Sequence, residues 1–218
     1  MKKFMALLLV AGMTLSLTAC GGSTDTAKTD QADGKDTFTV GFDQDFPPFG
    51  YVGDDGEFTG FDIEMATECA ARMGKKIVLQ PIDWDAKDME LEAGTIDCIW
   101  NGFTMNGRED QYTWTDPYMD NSQVVVVKKD SGINTLADLA GKVVEVQKES
   151  AAETALNDEE HADLMASFAQ LLSVGEYNTA FMDLESGAVD AVAIDIGVAQ
   201  FQIEGKEDQY QILDETIS

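Results

Sequence analysis

Histidine is nearly absent. The one copy, His161, lies in the polar run Asn157-Asp158-Glu159-Glu160-His161-Ala162-Asp163 and reads as exposed. Ser-His-Asp and Cys-His catalysis, and histidine-based metal sites, need an imidazole held among partner groups, so these chemistries find no support. Basic residues are scarce as well: 14 Lys and Arg stand against 41 Asp and Glu, a formal net charge of −27 at pH 7. No basic run relieves this balance, and such a chain is repelled by nucleic acid and by anionic membrane surfaces. No nucleic-acid partner is therefore expected. Cysteine is limited to three copies, with no CxxC pair and no metal-ligand spacing, so neither a metal nor another cofactor is expected. Cys69 and Cys98 lie in apolar surroundings, one in a predicted helix and one in a predicted strand. They read as buried free thiols, and a disulfide between them is allowed but not required.

The one long apolar run stands at the start. Lys2-Lys3 precedes the apolar stretch 4–17, which is short for a membrane span and ends in small residues. That is the pattern of a secretory signal. Leu17-Thr18-Ala19-Cys20 resembles a bacterial lipobox, which implies cleavage before Cys20 and lipidation of that cysteine. Residues 1–19 are thus expected to be a lipoprotein signal peptide, and residues 20–36 the lipidated cysteine and a flexible linker. Residues 21–36 carry no large apolar side chain and cannot offset the entropy of ordering. The expected location is extracytoplasmic, held to the outer face of the cell membrane by lipid.

From residue 37 the composition is that of a folded domain. Residues 37–42 alternate as a first strand, which ends at the loop Asp43-Gln44-Asp45-Phe46-Pro47-Pro48-Phe49 because Pro-Pro cannot continue a central strand. Asp54-Asp55-Gly56 signals a hairpin turn. Residues 61–73 form a helix whose Ala66, Cys69, Ala70 and Met73 should face a core, with a Glu68/Arg72 pair outside and Gly74 as the stop. A strand at 76–82, a short helix ending at Gly94 and a strand at 95–100 follow. This alternation argues a mostly parallel sheet covered by helices. The four-valine run at 124–127 reads as a strand leaving one lobe. A second alternation then runs from a capped helix at 134–139 to a strand at 210–213. Capping-box spacings occur at Thr135/Asp138 and Ser150/Glu153.

Residues 89–99 (MELEAGTIDCI) are echoed by residues 182–192 (MDLESGAVDAV). Each is a helix end, a glycine stop and an apolar strand, which suggests two lobes of similar build with a cleft between them. Ligands of open α/β sheets bind beyond the carboxyl ends of strands. The side chains predicted there are Asp43, Phe46, Trp84, Asn101, Thr104, Arg108, Ser150 and Asp195. A zwitterion needs a guanidinium for its carboxylate and a carboxylate for its ammonium, and an aromatic floor can hold its side chain. Arg108, Asp195 and the pair Phe46/Trp84 supply those parts, and the helix opening at Ser150 adds amide donors. Singly, each has a plainer explanation: Trp84 can be a core residue and Ser150 a helix cap.

The motifs GFDQDFPPFGY, GFDIEMA, GTIDCIWNGFTMNGRE, YTWTDPY, LADLAGKVVEVQ and AVDAVAID, in this order over about 38–213, resemble the polar amino-acid solute-binding proteins of ABC importers, extracellular solute-binding protein family 3. The resemblance implies an α/β, two-lobe periplasmic-binding-protein (flytrap) fold of type II, with lobe one in 37–129 and lobe two in 130–218. It also implies that the chain stops before the strand and helix that finish lobe one in relatives. By position, Arg108 would bind the α-carboxylate, and Asp195 the α-ammonium with Thr104 and the Asn101/Gly102 backbone. Phe46 and Trp84 would enclose the side chain and Asp43 would read its tip. Gln147, Ser150 and Ala151 would close the site from lobe two. The implied partners are a free amino acid, polar or basic, and the permease of the importer, with the protein a monomer and not an enzyme. The Thr104–Arg108 spacing is one residue shorter than is usual in the family, and Glu149 stands where a glycine is common. Two alternatives remain: an enzyme on the same fold, such as a dehydratase of cyclic acids using Asp43 and Asp45, and the sensor domain of a receptor.

Overall fold

A computed structural model describes residues 36–218. The expected signal peptide, Cys20 and the linker up to residue 35 lie outside the described residues.

The first lobe is built on β1 (Thr37–Phe42), which turns into a small antiparallel meander of β2 (Asp45–Phe46), β3 (Gly50–Val52) and β4 (Phe58–Thr59). The loop expected at residues 43–49 is thus partly ladder: Asp45 pairs with Tyr51 and Phe46 with Gly50. Helix α1 (Phe61–Arg72), β5 (Lys76–Pro81), a single 3₁₀ turn at Trp84–Ala86, α2 (Lys87–Ala93) and β6 (Cys98–Ile99) follow. β1 lies between β5 and β6, and both pairs are parallel.

Two details of this lobe differ from expectation. The inner face of α1 is Ile63, Ala66 and Ala70, while Met73 is 46 % exposed. The apolar stripe therefore sits one turn nearer the helix start than its last residues suggest. The strand expected at 95–100 pairs as a ladder only at Cys98–Ile99, because Asp97 takes over part of the edge: its Oδ2 accepts from the Thr39 N–H at 2.8 Å. Cys69 and Cys98 are both free, and burial pushes the Cys98 thiol up to about 12.

The second sheet has five strands in the order β11-β7-β10-β8-β9, where β7 is Gln123–Lys128, β8 Val143–Gln147, β9 Gln170–Val174, β10 Ala191–Asp195 and β11 Tyr210–Ile212. Its helices are α3 (Ala151–Leu156), α4 (Ala162–Ser167), α5 (Tyr177–Ser186) and α6 (Ile196–Ile203). β8, β9 and β10 run parallel, and β7 is antiparallel to both its neighbours. The valine run, placed by the sequence at the end of the first lobe, is hydrogen-bonded wholly within the second sheet. The reason is burial on both faces. Val124 and Val126 join Val192, Ile194, Tyr177 and Leu184 in one core layer; Val125 and Val127 join Ala191, Ala193, Val146 and Leu156 in the other.

The internal echo is structural. α2 ends at Gly94 with φ 69°, α5 at Gly187 with φ 82°, and each glycine N–H bonds to a leucine carbonyl three residues back. A non-glycine residue there would be forced into the left-handed region that L side chains avoid. The Thr135/Asp138 box forms in full. The Ser150 box forms by half: Ser150 Oγ accepts from the Glu153 N–H at 3.1 Å, but the Glu153 carboxylate reaches the Glu149 N–H at 2.7 Å instead. α4 was not expected, since its approach through residues 157–163 is so polar; His161 there is half-buried rather than exposed.

Leu184 and Met182 lie two residues apart on α5, the first fully buried and the second 67 % exposed. Urea unfolding should show Leu184→Ala losing about 2–5 kcal/mol and Met182→Ala staying within about 0.5 kcal/mol of the parent.

Candidate functional site

The strand ends of both sheets converge on a small cavity, ≈20 Å³ in volume. It is lined by Phe46, Trp84, Asn101, Gly102, Phe103, Thr104, Arg108, Gln147, Ser150, Ala151 and Asp195. Ten of these are residues the sequence nominated. Phe103 was missed, although its place between Gly102 and Thr104 put it in the nominated loop. Its ring touches Trp84 edge-on at 5.1 Å and lies 5.2 Å from the Arg108 guanidinium, a cation–π distance.

Arg108 is delivered by the turn that closes when its own N–H bonds to Met105 O, with Gly107 at φ 77°. The side chain is 7 % exposed. Its Nη1 donates to Thr104 O at 3.3 Å, and its Nη2 to Glu149 O at 3.0 Å and to Thr154 Oγ1 at 3.1 Å. All three acceptors are neutral oxygens. Among the described residues no carboxylate lies within ion-pair distance of this guanidinium. Burial lowers its pKa, yet a guanidinium remains charged.

Glu149 explains how one carbonyl can serve that role. Its φ is 60°, the one positive φ outside glycine among the described residues, in the left-handed region that favours glycine. The twist turns Glu149 O into the cleft, where it also accepts from Trp84 Nε1 at 3.3 Å. The Glu149 carboxylate points elsewhere, 3.7 Å from Lys87 Nζ.

Asp195 ends β10 on the far wall, 4 % exposed. Its Oδ1 accepts from Gln123 Nε2 at 2.8 Å and from Asn121 Nδ2. Burial raises its pKa, against the pull of those amides and of Arg108. The Asn101 side chain is buried with its Oδ1 unpartnered. The Gly102 N–H is given to Asp62 Oδ2, and the backbone acceptors an ammonium could use there are carbonyl oxygens. Asp62, fully buried at the start of α1, also accepts from Tyr118 OH at 2.8 Å. Asp62, Tyr118, Asn121 and Gln123 were not singled out from sequence; the cue was a pair of amides, Asn121 just ahead of the buried valine strand and Gln123 at its first position.

Asp43 is the nominated residue that does not line the cavity. It stands behind Gln147, whose Nε2 donates to Asp43 Oδ2 at 2.6 Å and to Gly175 O at 2.9 Å. Asp43 faces an adjoining open groove of ≈440 Å³, which carries five further acids: Asp45, Asp83, Asp85, Glu90 and Glu176. Burial pushes the Asp43 carboxyl up to about 6, with the Asp45 and Glu176 charges adding to the rise.

A two-lobe α/β chain with a buried cation on one wall of the cleft and a buried carboxylate on the other has the build of a small-ligand binding protein. The family model for bacterial extracellular solute-binding proteins, family 3, matches residues 38–184, and the chain belongs to that family. It is 36 % identical over 148 residues to the arginine-binding extracellular protein ArtP of Bacillus subtilis, covering 67 % of this chain and 56 % of the relative. It is 31 % identical over 194 residues to the L-cystine-binding protein TcyJ of Escherichia coli, covering 88 % of this chain and 69 % of the relative. Among solved structures, the substrate-binding protein of an ABC uptake transporter from Streptococcus pneumoniae, with bound histidine, superposes with a TM-score of 0.77 at 35 % identity, over 82 % of this chain and 74 % of that one. An ancestral arginine-binding protein bound to glutamine gives 0.74 at 34 %, over 84 % and 80 %. The family is extracellular and its members bind solutes.

Asp43 also sets a pH dependence. Its folded value, about 6, exceeds the usual 3.8, so between these the folded state holds a proton that the unfolded state has lost. Its contribution to stability is present below about pH 4 and lost as pH rises through 6. Asp43→Asn removes that loss. The unfolding free energy of Asp43→Asn minus that of the parent, from urea titrations, should rise by roughly 1–3 kcal/mol between pH 4 and pH 7.

Proposed function

We propose that this protein is the substrate-binding lipoprotein of an amino-acid ABC importer, capturing one free amino acid between its lobes and presenting it to the permease. The observation that carries the proposal is Arg108. A buried guanidinium held only by neutral oxygens is costly, and it faces the buried Asp195 across the same cavity. A zwitterion's carboxylate and ammonium complement these two charges. Arg108 takes the α-carboxylate, helped by the Ala151 N–H at the opening of α3, while the Ser150 N–H is held by Gln147 O at 3.2 Å. Asp195 takes the α-ammonium, with Thr104 Oγ1 and the Asn101 and Gly102 carbonyls. Phe46, Trp84 and Phe103 hold the side chain, and the Gln147 side chain, held from behind by Asp43, meets its polar tip. That tip is polar or basic, in keeping with relatives named for arginine, cystine and histidine.

The cavity of ≈20 Å³ has room for about one water, so the lobes must part to admit an amino acid and close again over it. Lipidation at Cys20 would tether the monomer at the outer face of the membrane, with 20–36 as the tether. Lobe one is assigned to 37 to about 122, and lobe two to the rest, from β7 (Gln123–Lys128), whose partners are all in the second sheet, to 218. The dehydratase alternative is less well supported: both Asp43 oxygens are committed, to Asp45 N–H and to Gln147, and Asp45 Oδ1 accepts from Asn178 Nδ2 at 2.7 Å.

Thermal shift of the soluble protein lacking residues 1–20, against arginine, histidine, cystine, glutamine and lysine, should show stabilisation by at least one, since a ligand bound to the folded state alone must raise its stability. Arg108→Ala should weaken that ligand by about a hundredfold or more with the far-ultraviolet circular dichroism unchanged. Arg108→Lys, which keeps the charge and loses the fork, should fall between. Unchanged affinity in Arg108→Ala would place the carboxylate elsewhere.

A further inference from the structure

Asn121 precedes β7 on the segment that passes from one lobe to the other. Its side-chain nitrogen donates twice. One hydrogen goes to Thr104 Oγ1 at 3.0 Å, on the first lobe, and the other to Asp195 Oδ1, on the second. These are the two side-chain acceptors assigned above to the ligand's α-ammonium. We propose that the Asn121 amide is an internal competitor for the α-ammonium seat, a residue the ligand displaces on binding and one that sets how tightly amino acids are held. The proposal rests on the amino-acid reading of the site.

Three features support this. The first is donor chemistry. An amide NH₂ has two hydrogens and an ammonium three, so the amide can satisfy the same two acceptors but cannot exceed the ammonium, which is charged as well. The second is accessibility. Asn121 is exposed, whereas its neighbour Gln123, which also donates to Asp195 Oδ1 at 2.8 Å, is buried. Asn121 can swing into solvent and exchange its bonds for water at little cost, while Gln123 must stay. Gln123 therefore acts as the permanent partner of Asp195 and Asn121 as the removable one. The third is asymmetry. At the other end of the cavity Arg108 is met by neutral oxygens, and among the described residues no side-chain carboxylate stands in for the ligand's. Only the ammonium end of the site has a competitor of its own.

If Asn121 occupies the seat in the free protein, ligand affinity is reduced by the fraction of molecules in which the seat is filled. Removing the amide raises that fraction of open seats and costs the complex nothing, because the amide is already displaced there. The effect must be confined to ligands that carry the ammonium.

Isothermal titration of the parent and of Asn121→Ala, with L-arginine and L-histidine, and with 5-guanidinopentanoate and imidazole-4-propionate as the same molecules without the α-ammonium, tests this. The expected result is an amino-acid Kd about three- to tenfold lower in Asn121→Ala, with the desamino Kd unchanged or higher. Weaker amino-acid binding in Asn121→Ala would make the residue a support for Asp195 and overturn the proposal. An equal gain for amino acids and desamino analogues would overturn it too. Failure of the parent itself to bind any of the four probes would count against the amino-acid reading, and the proposal would fall with it.

Discussion

Arg108 sits nine-tenths buried with its positive charge shared among Thr104 O, Glu149 O and Thr154 Oγ1, and much of the structure around the cleft exists to keep it so. Neutral oxygens can hold a guanidinium out of water only if several are aimed at it together. Two of the three come from the opposite lobe. The left-handed turn at Glu149 aims one of them, and the first turn of α3 brings the other. The same carbonyl takes the Trp84 indole, so a single backbone twist fixes both the cationic and the aromatic wall. That twist is borne by a glutamate, in a conformation that costs a non-glycine residue on the order of 1 kcal/mol or more. Its side chain recovers part of the cost by standing near Lys87, itself buried against the Trp84 ring.

The lobes meet through two kinds of contact. Phe46 and Phe49, stacked at 5.6 Å, leave the meander of the first lobe and enter the core of the second beside Tyr177. The Phe49 ring lies between Gly102 and Gly197, where an added Cβ would come within 3.3 Å and 3.0 Å of it. Around this apolar centre run polar contacts: the exposed Lys148–Asp85 ion pair at 2.7 Å, the exposed Asn178–Asp45 hydrogen bond at 2.7 Å and the buried Gln147–Asp43 hydrogen bond at 2.6 Å. An exposed ion pair such as the first contributes little. The aromatic insertion carries most of the adhesion, and the polar contacts set the register in which the lobes close.

The sequence made the elements legible where a local rule decides them. The helix–Gly–strand echo worked because a left-handed C-terminus admits little but glycine. The four-valine run announced burial on both faces. Arg108 and Asp195 could be named because each follows an apolar strand at its carboxyl end. What was hidden is what depends on distant partners. Asp97 breaks the ladder of β6 by reaching Thr39, 58 residues away. Gly102 gives its N–H to Asp62, 40 residues back. Asp43 was expected in the cavity and stands behind Gln147, a residue 104 positions later that no local pattern could have set in front of it. The valine strand, read as the end of one lobe, belongs by its bonds to the sheet of the other, since strand pairing is settled by which partners complete the edge.

The acid-lined groove beside Trp84 bears on the speed of encounter rather than on its strength. Six carboxylates gather at one mouth of the cleft, on a chain that already carries a formal charge of −27. A field of that sign draws cations in and slows anions. A zwitterion has no net charge to be drawn, but it feels a torque: its ammonium is turned toward the groove and its carboxylate away. An amino acid of the proposed kind would thus meet the cleft with a preferred orientation, and that preference fades as salt shortens the reach of the field to about 8–10 Å.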